Sequence, residues 1–127
     1  KQIFLLIGVN DISHDLSTDS IVQMIEKNVT RIQRESPETK LYLQSLLPID
    51  ESFNRYKKLT NKTYQIPEIN DRLKALAKEK KIDFIDLYPL FTEKGTNVLR
   101  KELTYDGLHL KEEGYKIWVD AIKKKIK

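Results

Sequence analysis

The chain has 127 residues, 33% of them charged, a net charge of +4 and no cysteine. That length suits about one domain with a core large enough to need no staple, and the missing thiols exclude a disulfide framework and thiolate metal or redox chemistry while leaving the compartment open. The lysine excess, with clusters at Lys78, Lys80 and Lys81 and at Lys123, Lys124, Lys125 and Lys127, reads as solubilising helix surface and helix-end charge. No platform of stacking aromatics accompanies it, so no nucleic-acid partner is expected, and no run approaches the ~18 apolar residues of a membrane span.

The chain opens on Lys1, and a strand pattern, Ile3-Phe4-Leu5-Leu6-Ile7, begins almost at once, so the sequence reads as the remainder of something longer. The pattern predicts a buried strand. It runs into Gly8-Val9-Asn10-Asp11, where glycine permits a sharp turn and close backbone approach. The Asn10 amide could point at a developing oxyanion without a proton changing hands, and Asp11 is expected to bond nearby amides in an Asx-type turn. The same four residues also suit a plain turn. His14, in a polar stretch, reads as solvated.

A first helix is predicted from Ile21, Ile25, Val29 and Ile32, with Ser17 or Thr18 as N-cap and Ser36-Pro37 as its end. A strand follows over residues 40–46, and then the longest irregular stretch, residues 48–61, which carries Phe53 and Tyr56 and suits either a cleft border or a surface excursion. Ile66, Ile69, Leu73, Leu76 and Ala77 mark a second helix, with Pro67 tolerated in its first turn. Residues 82–87 form a third strand pattern. After a long loop comes Asp106-Gly107-Leu108-His109-Leu110, and then a stripe of Tyr115, Trp118, Val119, Ile122 and Ile126, in which Tyr115 and Trp118 read as core; Tyr105 reads as a packing residue.

Strands alternating with amphipathic helices imply right-handed crossovers and a parallel sheet covered on both faces, an α/β fold. Ligands on such sheets collect beyond the carboxyl ends of the strands, and both motifs lie beyond strand ends, so both can reach one rim. A histidine that activates a hydroxyl needs an acceptor on its second ring nitrogen. Asp106 and His109 supply that pair locally, although the same residues suit a turn with a capping aspartate and a surface histidine. No HExxH pattern or carboxylate–histidine cluster suggests a metal, and no glycine-rich phosphate loop suggests a nucleotide.

Taken together, the strand followed by Gly8-x-Asn10-Asp11, the run Leu43-Gln44-Ser45-Leu46-Leu47-Pro48, and Asp106-Gly107-Leu108-His109-Leu110 with Glu113-Gly114-Tyr115 resemble the SGNH (GDSL-type) hydrolase superfamily over essentially the whole chain. The resemblance implies a three-layer α/β/α sandwich with a parallel sheet (flavodoxin-like), of which residues 1–127 form the C-terminal two-thirds as a single partial domain. It implies a serine ester hydrolase acting through an acyl-enzyme on small acyl esters such as O-acetylated sugars or lysolipids, with no cofactor. By the family's pattern His109 is the base, Asp106 its orienting acid and Asn10 one of three oxyanion donors, while Gly8 and Asp11 shape the turn. The Gly-Asp-Ser nucleophile block is absent, and none of Ser13, Ser17, Ser20, Ser36, Ser45 or Ser52 stands in its context. The fragment alone is therefore expected to be inactive, and a non-catalytic carbohydrate- or partner-binding module on the same fold is the alternative. Because the family's first strand lies between the second and third, the edge of residues 3–7 is expected to be bare and open to self-association.

Overall fold

The computed structural model describes residues 1–126; Lys127 of the C-terminal lysine cluster lies outside the described residues. Its strands are β1 (Gln2–Leu5), β2 (Lys40–Gln44) and β3 (Asp83–Ile85), all parallel, in the order β1-β2-β3. The helices are α1 (Val9–Ser13), α2 (Thr18–Glu35), α3 (Gln65–Lys80), α4 (Tyr88–Phe91) and α5 (Glu112–Lys125). None of them is long and apolar enough to cross a membrane.

The middle strand explains the layering. Successive side chains of a strand point to opposite faces, and β2 buries both: Leu41 and Leu43 join the core formed with Ile21, Ile25 and Val29 of α2 and Ile69 and Leu73 of α3. Tyr42 faces a second core of Ile85, Leu87, Phe91, Leu99 and Leu103, against which Ile117, Trp118, Ala121 and Ile122 of α5 pack. This is the double burial expected of a parallel sheet, and it yields the α/β/α arrangement. Each fully buried aliphatic side chain contributes about 1.5–3 kcal/mol to the association of the layers.

The end of β2 is fixed by polar groups as well. The buried Asn70 side chain on α3 accepts from the Leu46 N–H at 2.7 Å and donates to the Leu46 carbonyl at 3.1 Å. On the other flank the buried Ser45 hydroxyl accepts from the N–H groups of Leu87 and Tyr88 at 2.9 and 3.0 Å. Both partners satisfy backbone groups that would otherwise be orphaned where the ladder stops. Ser17 caps α2 by accepting from the Ser20 N–H, and α2 stops at Glu35, just before Ser36-Pro37, as the sequence implies.

Several expectations change: Tyr105, expected to pack, is 69% exposed, and β2 and β3 are shorter than the patterns at residues 40–46 and 82–87. The pattern at residues 3–7 predicts a buried strand, but pairing with β2 ends at Leu5 opposite Leu43. Ile3, Phe4 and Leu5 are only half-buried and Ile7 is exposed, because among the described residues β1 has a neighbour on one side alone. Along α5 the inward line is Gly114, which is buried, and Ile117, Trp118, Ala121 and Ile122, which are half-buried, whereas Tyr115, Val119 and Ile126 are exposed. Both lines have helical spacing; two anchors choose between them. The Trp118 indole donates to Gln44 at 2.7 Å, and Gly114 lies so close that a Cβ there would meet Leu110 at 3.2 Å. Tyr115 is left stacked on the outer side of Trp118, ring centroids 6.2 Å apart.

An apolar strand with an open edge offers unpaired backbone groups to another chain. Residues 1–127 on their own are therefore expected to sediment as dimers or larger species at micromolar concentration, and a monomer throughout that range would count against an available edge.

Candidate functional site

The rim beyond the strands' carboxyl ends is built from three segments. The first leaves β1 at Leu6 and enters α1 through Gly8, whose φ of +135° is a conformation that residues with a Cβ rarely adopt. Asn10 and Asp11 thus fall in the first turn of a short helix held down by the buried Ile12. The Asx turn expected of Asp11 does not form: no side chain caps α1, and the Asp11 carboxylate instead occupies a helix first turn, where the dipole favours it. The Asn10 carbonyl accepts from the Ser13 hydroxyl at 2.6 Å and pairs with His14 Nδ1 at 2.7 Å, and the exposed Asn10 amide has no partner among the described residues. His14 is exposed, as the sequence suggests.

The second segment is the turn from Thr104 to Leu110, which form an isolated antiparallel bridge. The buried Thr104 hydroxyl donates to the His109 carbonyl at 2.6 Å and accepts from the Gly107 N–H at 3.0 Å. Gly107 has φ +91°, and a Cβ there would collide with the Asp50 carbonyl oxygen and press on Phe53. Its own carbonyl accepts from the Asp50 N–H at 2.9 Å. The turn is thereby locked to the loop after β2.

Inside the turn, Asp106 Oδ1 accepts from the N–H groups of Leu108 and His109 at 2.9 and 2.8 Å, while Oδ2 lies 2.9 Å from His109 Nδ1. A carboxylate facing Nδ1 places the imidazole proton there and leaves the Nε2 lone pair free. The His109 side chain is 66% exposed and that of Asp106 only 15%, so the acid is sheltered and the base open.

The third segment is residues 48–61, which contain short helical turns at Glu51–Phe53 and Lys57–Leu59. Between them Tyr56 turns inward: its hydroxyl donates to Asp106 Oδ2 at 2.7 Å and lies 3.0 Å from His109 Nδ1. Of the two readings the sequence leaves for this stretch, the cleft border is therefore the one realised. Partial burial disfavours charge on Asp106, but the donors from Tyr56, His109 and Leu108 outweigh it and hold its carboxyl well below the usual carboxylate range. The bond to Asp106 correspondingly pushes the Tyr56 phenol up.

These segments meet. A cleft of about 450 Å³ is walled by residues 6–11, residues 46–48 and Leu108, and a smaller one of about 280 Å³ by Val9, Asn10, Ser13 and residues 55–59. Asn10 belongs to both. Gly8, Asn10 and Asp11 thus share a rim with the Asp106–His109 turn, linked through Leu108 and Tyr56. Among the described residues no serine is hydrogen-bonded to His109: Ser45 is buried at the end of β2, Ser17 is a cap, and Ser52 bonds Asp50. Among the described residues no group of three or more His, Cys, Asp or Glu could hold a metal ion. Thr104 is absent from the sequence reading of the site, and Tyr56 figures there only as part of a stretch that suits a cleft border, without its bond to Asp106. Nothing in the spacing of Tyr56 marks it, whereas Thr104, two residues before the aspartate, carries a weak signal as a turn-forming hydroxyl.

Residues 1–117 match the family model described as the GDSL-like lipase/acylhydrolase family. The isoamyl acetate-hydrolyzing esterase of Saccharomyces cerevisiae is 39% identical over 67 residues, 53% of this chain and 27% of that protein. A structure from Streptococcus pneumonia, whose name refers to platelet activating factor, superposes with a TM-score of 0.89 at 29% identity, over 99% of this chain and 59% of that one. A GDSL-like lipase from Bacteroides thetaiotaomicron VPI-5482 gives 0.83 at 26% identity, over 97% and 60%. The chain thus spans about a quarter of the length of the curated relatives it matches and about three-fifths of these structures.

Gly107→Ala is expected to lower stability by roughly 1–3 kcal/mol in urea titrations, since a strained φ and a collision with Asp50 coincide. Asp106 should also shape the acid limb of stability. Its folded-state pKa is depressed, so its contribution is complete above the unfolded carboxylate value and is lost as the pH falls below it towards the folded value. The difference in melting temperature between wild type and Asp106→Asn is therefore expected to be constant above about pH 5 and to shrink below it.

Proposed function

The chain belongs to the GDSL-like lipase/acylhydrolase family, and from that premise we propose that it supplies the base, the orienting acid and one oxyanion donor of a serine ester hydrolase acting on small acyl esters such as O-acetylated sugars or lysolipids. The observation that carries this reading is the His109–Asp106 pair, 2.9 Å apart, with the histidine open to the rim and its Nε2 unpartnered among the described residues. A histidine so held can accept the proton of a hydroxyl nucleophile at Nε2 while the carboxylate stabilises the imidazolium that forms. The same proton then passes to the departing alcohol, and water, deprotonated by the same nitrogen, cleaves the acyl-enzyme. The Asn10 amide, free and exposed beside the larger cleft, is suited to donate to the oxyanion of each tetrahedral intermediate.

The nucleophile in this reading is a serine outside residues 1–127, which form part of a single hydrolase domain and are inactive alone. The larger cleft suits a short acyl chain, since Leu6, Val9, Leu46, Leu47 and Pro48 give it an apolar wall. The yeast relative's name, an esterase of isoamyl acetate, agrees with a small acyl ester. The second reading is a non-catalytic carbohydrate- or partner-binding module on the same fold, for which the exposed His109 and Asn10 side chains beside the clefts would serve as polar contacts.

Hydrolysis of p-nitrophenyl acetate by the full encoded protein separates the two. Under the enzyme reading His109→Ala lowers kcat by roughly 10⁴–10⁶-fold and Asn10→Ala by roughly 10²–10³-fold. Equal turnover by wild type and His109→Ala would remove His109 as the base, and no turnover above buffer by the wild type would leave the binding module.

A further inference from the structure

We infer that Tyr56 is a positioning residue that, together with Asp106, holds the His109 imidazole in the Nδ1–H tautomer and in one orientation. The inference rests on the reading of His109 as the base. With two-thirds of its side chain open to solvent, the ring has little packing to restrain χ1 or χ2, so hydrogen bonds must set its direction.

Asp106 alone restrains it incompletely. Its Oδ1 is committed to the N–H groups of Leu108 and His109, so one oxygen remains for the ring, and a single acceptor leaves the ring free to swing about the Nδ1···Oδ2 line. The Tyr56 hydroxyl supplies the second point. Its only proton goes to Oδ2, which accepts but cannot donate, so the lone pairs of the phenol oxygen face Nδ1 at 3.0 Å. The Nδ1–H therefore sits between two acceptors, Oδ2 at 2.9 Å and the phenol oxygen. In an Nε2–H tautomer the phenol proton could turn to Nδ1 only by leaving Oδ2, and that carboxylate oxygen would then face the ring lone pair and the phenol oxygen without a proton. The tilted contact of the rings, centroids 5.8 Å apart and planes at 56°, limits rotation from the same side.

Tyr56 is itself held in place. It packs against the main core, and the loop around it is tied down by the Asn61 N–H and the Thr63 hydroxyl, which both donate to Glu51. Tyr56 also walls the smaller cleft beside Asn10, so the loop after β2 reaches both the base and the proposed oxyanion donor.

The test uses the full encoded protein and Tyr56→Phe, which keeps the ring and removes only the hydroxyl. The hydroxyl's contact with the neutral imidazole is worth enough to change a rate by about three- to tenfold, and its bond to the Asp106 carboxylate is lost as well, so kcat for p-nitrophenyl acetate is expected to fall by at least about threefold with KM unchanged. In ¹⁵N-histidine spectra of the same variant, the His109 resonances, assigned by their loss in His109→Gln, are expected to move from a single Nδ1–H form towards a mixture of tautomers. Wild-type kcat with an unchanged Nδ1–H signal would overturn the inference, as would a raised KM at unchanged kcat, which would make Tyr56 a substrate contact. Failure of the parent reading looks different: His109→Ala would then retain turnover, while the spectra would still report whether Tyr56 holds the ring.

Discussion

The rim depends on how many donors converge on one carboxylate. Asp106 accepts two backbone N–H groups, a phenol and an imidazole, and each arrives from a different structural commitment. The backbone pair fixes the turn, the phenol fixes the loop after β2, and the imidazole is the group presented to solvent. Removing the charge would leave several donors competing for a weaker acceptor, so local geometry and chemistry are coupled through the same two oxygens. The turn holds its shape because Thr104 and Gly107 supply what Asp106 cannot: a hydroxyl that spans the bridge, and a backbone conformation that brings the turn's carbonyl onto the Asp50 N–H.

The fold was legible where periodicity and punctuation agreed. Ile21, Ile25 and Val29 repeat at helical spacing between Ser17 and Ser36-Pro37, and α2 occupies that interval. The order of strands and helices sufficed for the class, because alternation leaves a parallel sheet few ways to be covered. What periodicity cannot resolve is a helix's rotation when two neighbouring stripes are both apolar. On α5 the answer lies in what two of its residues meet outside the helix: Trp118 bonds Gln44, seventy-four residues away, and Gly114, lacking a Cβ, lets the helix come close to Leu110.

The site divides along the same line. Asp106 and His109 are readable because they are three residues apart and their bond is local. Asn10 is readable from the glycine and strand that precede it. Tyr56 is not, because its bond spans fifty residues and a tyrosine in an irregular stretch looks the same whether it faces solvent or a carboxylate. Asp11 departs from the expected Asx turn for a related reason: four turn-forming residues can become a turn or the start of a helix, and the buried Ile12 favours the helix.

The long reach of these bonds bears on how the molecule folds. The Asp106 turn closes over three residues and can form early, but Tyr56–Asp106, Asn70–Leu46 and Trp118–Gln44 join positions 50, 24 and 74 residues apart. Closing such loops costs chain entropy before any contact repays it, and parallel pairing across helices adds to the delay. The acid–base pair would thus exist as a local turn before the loop that braces it has docked. Competence of the rim should then appear with the slowest kinetic phase of refolding, after most helical signal has been recovered.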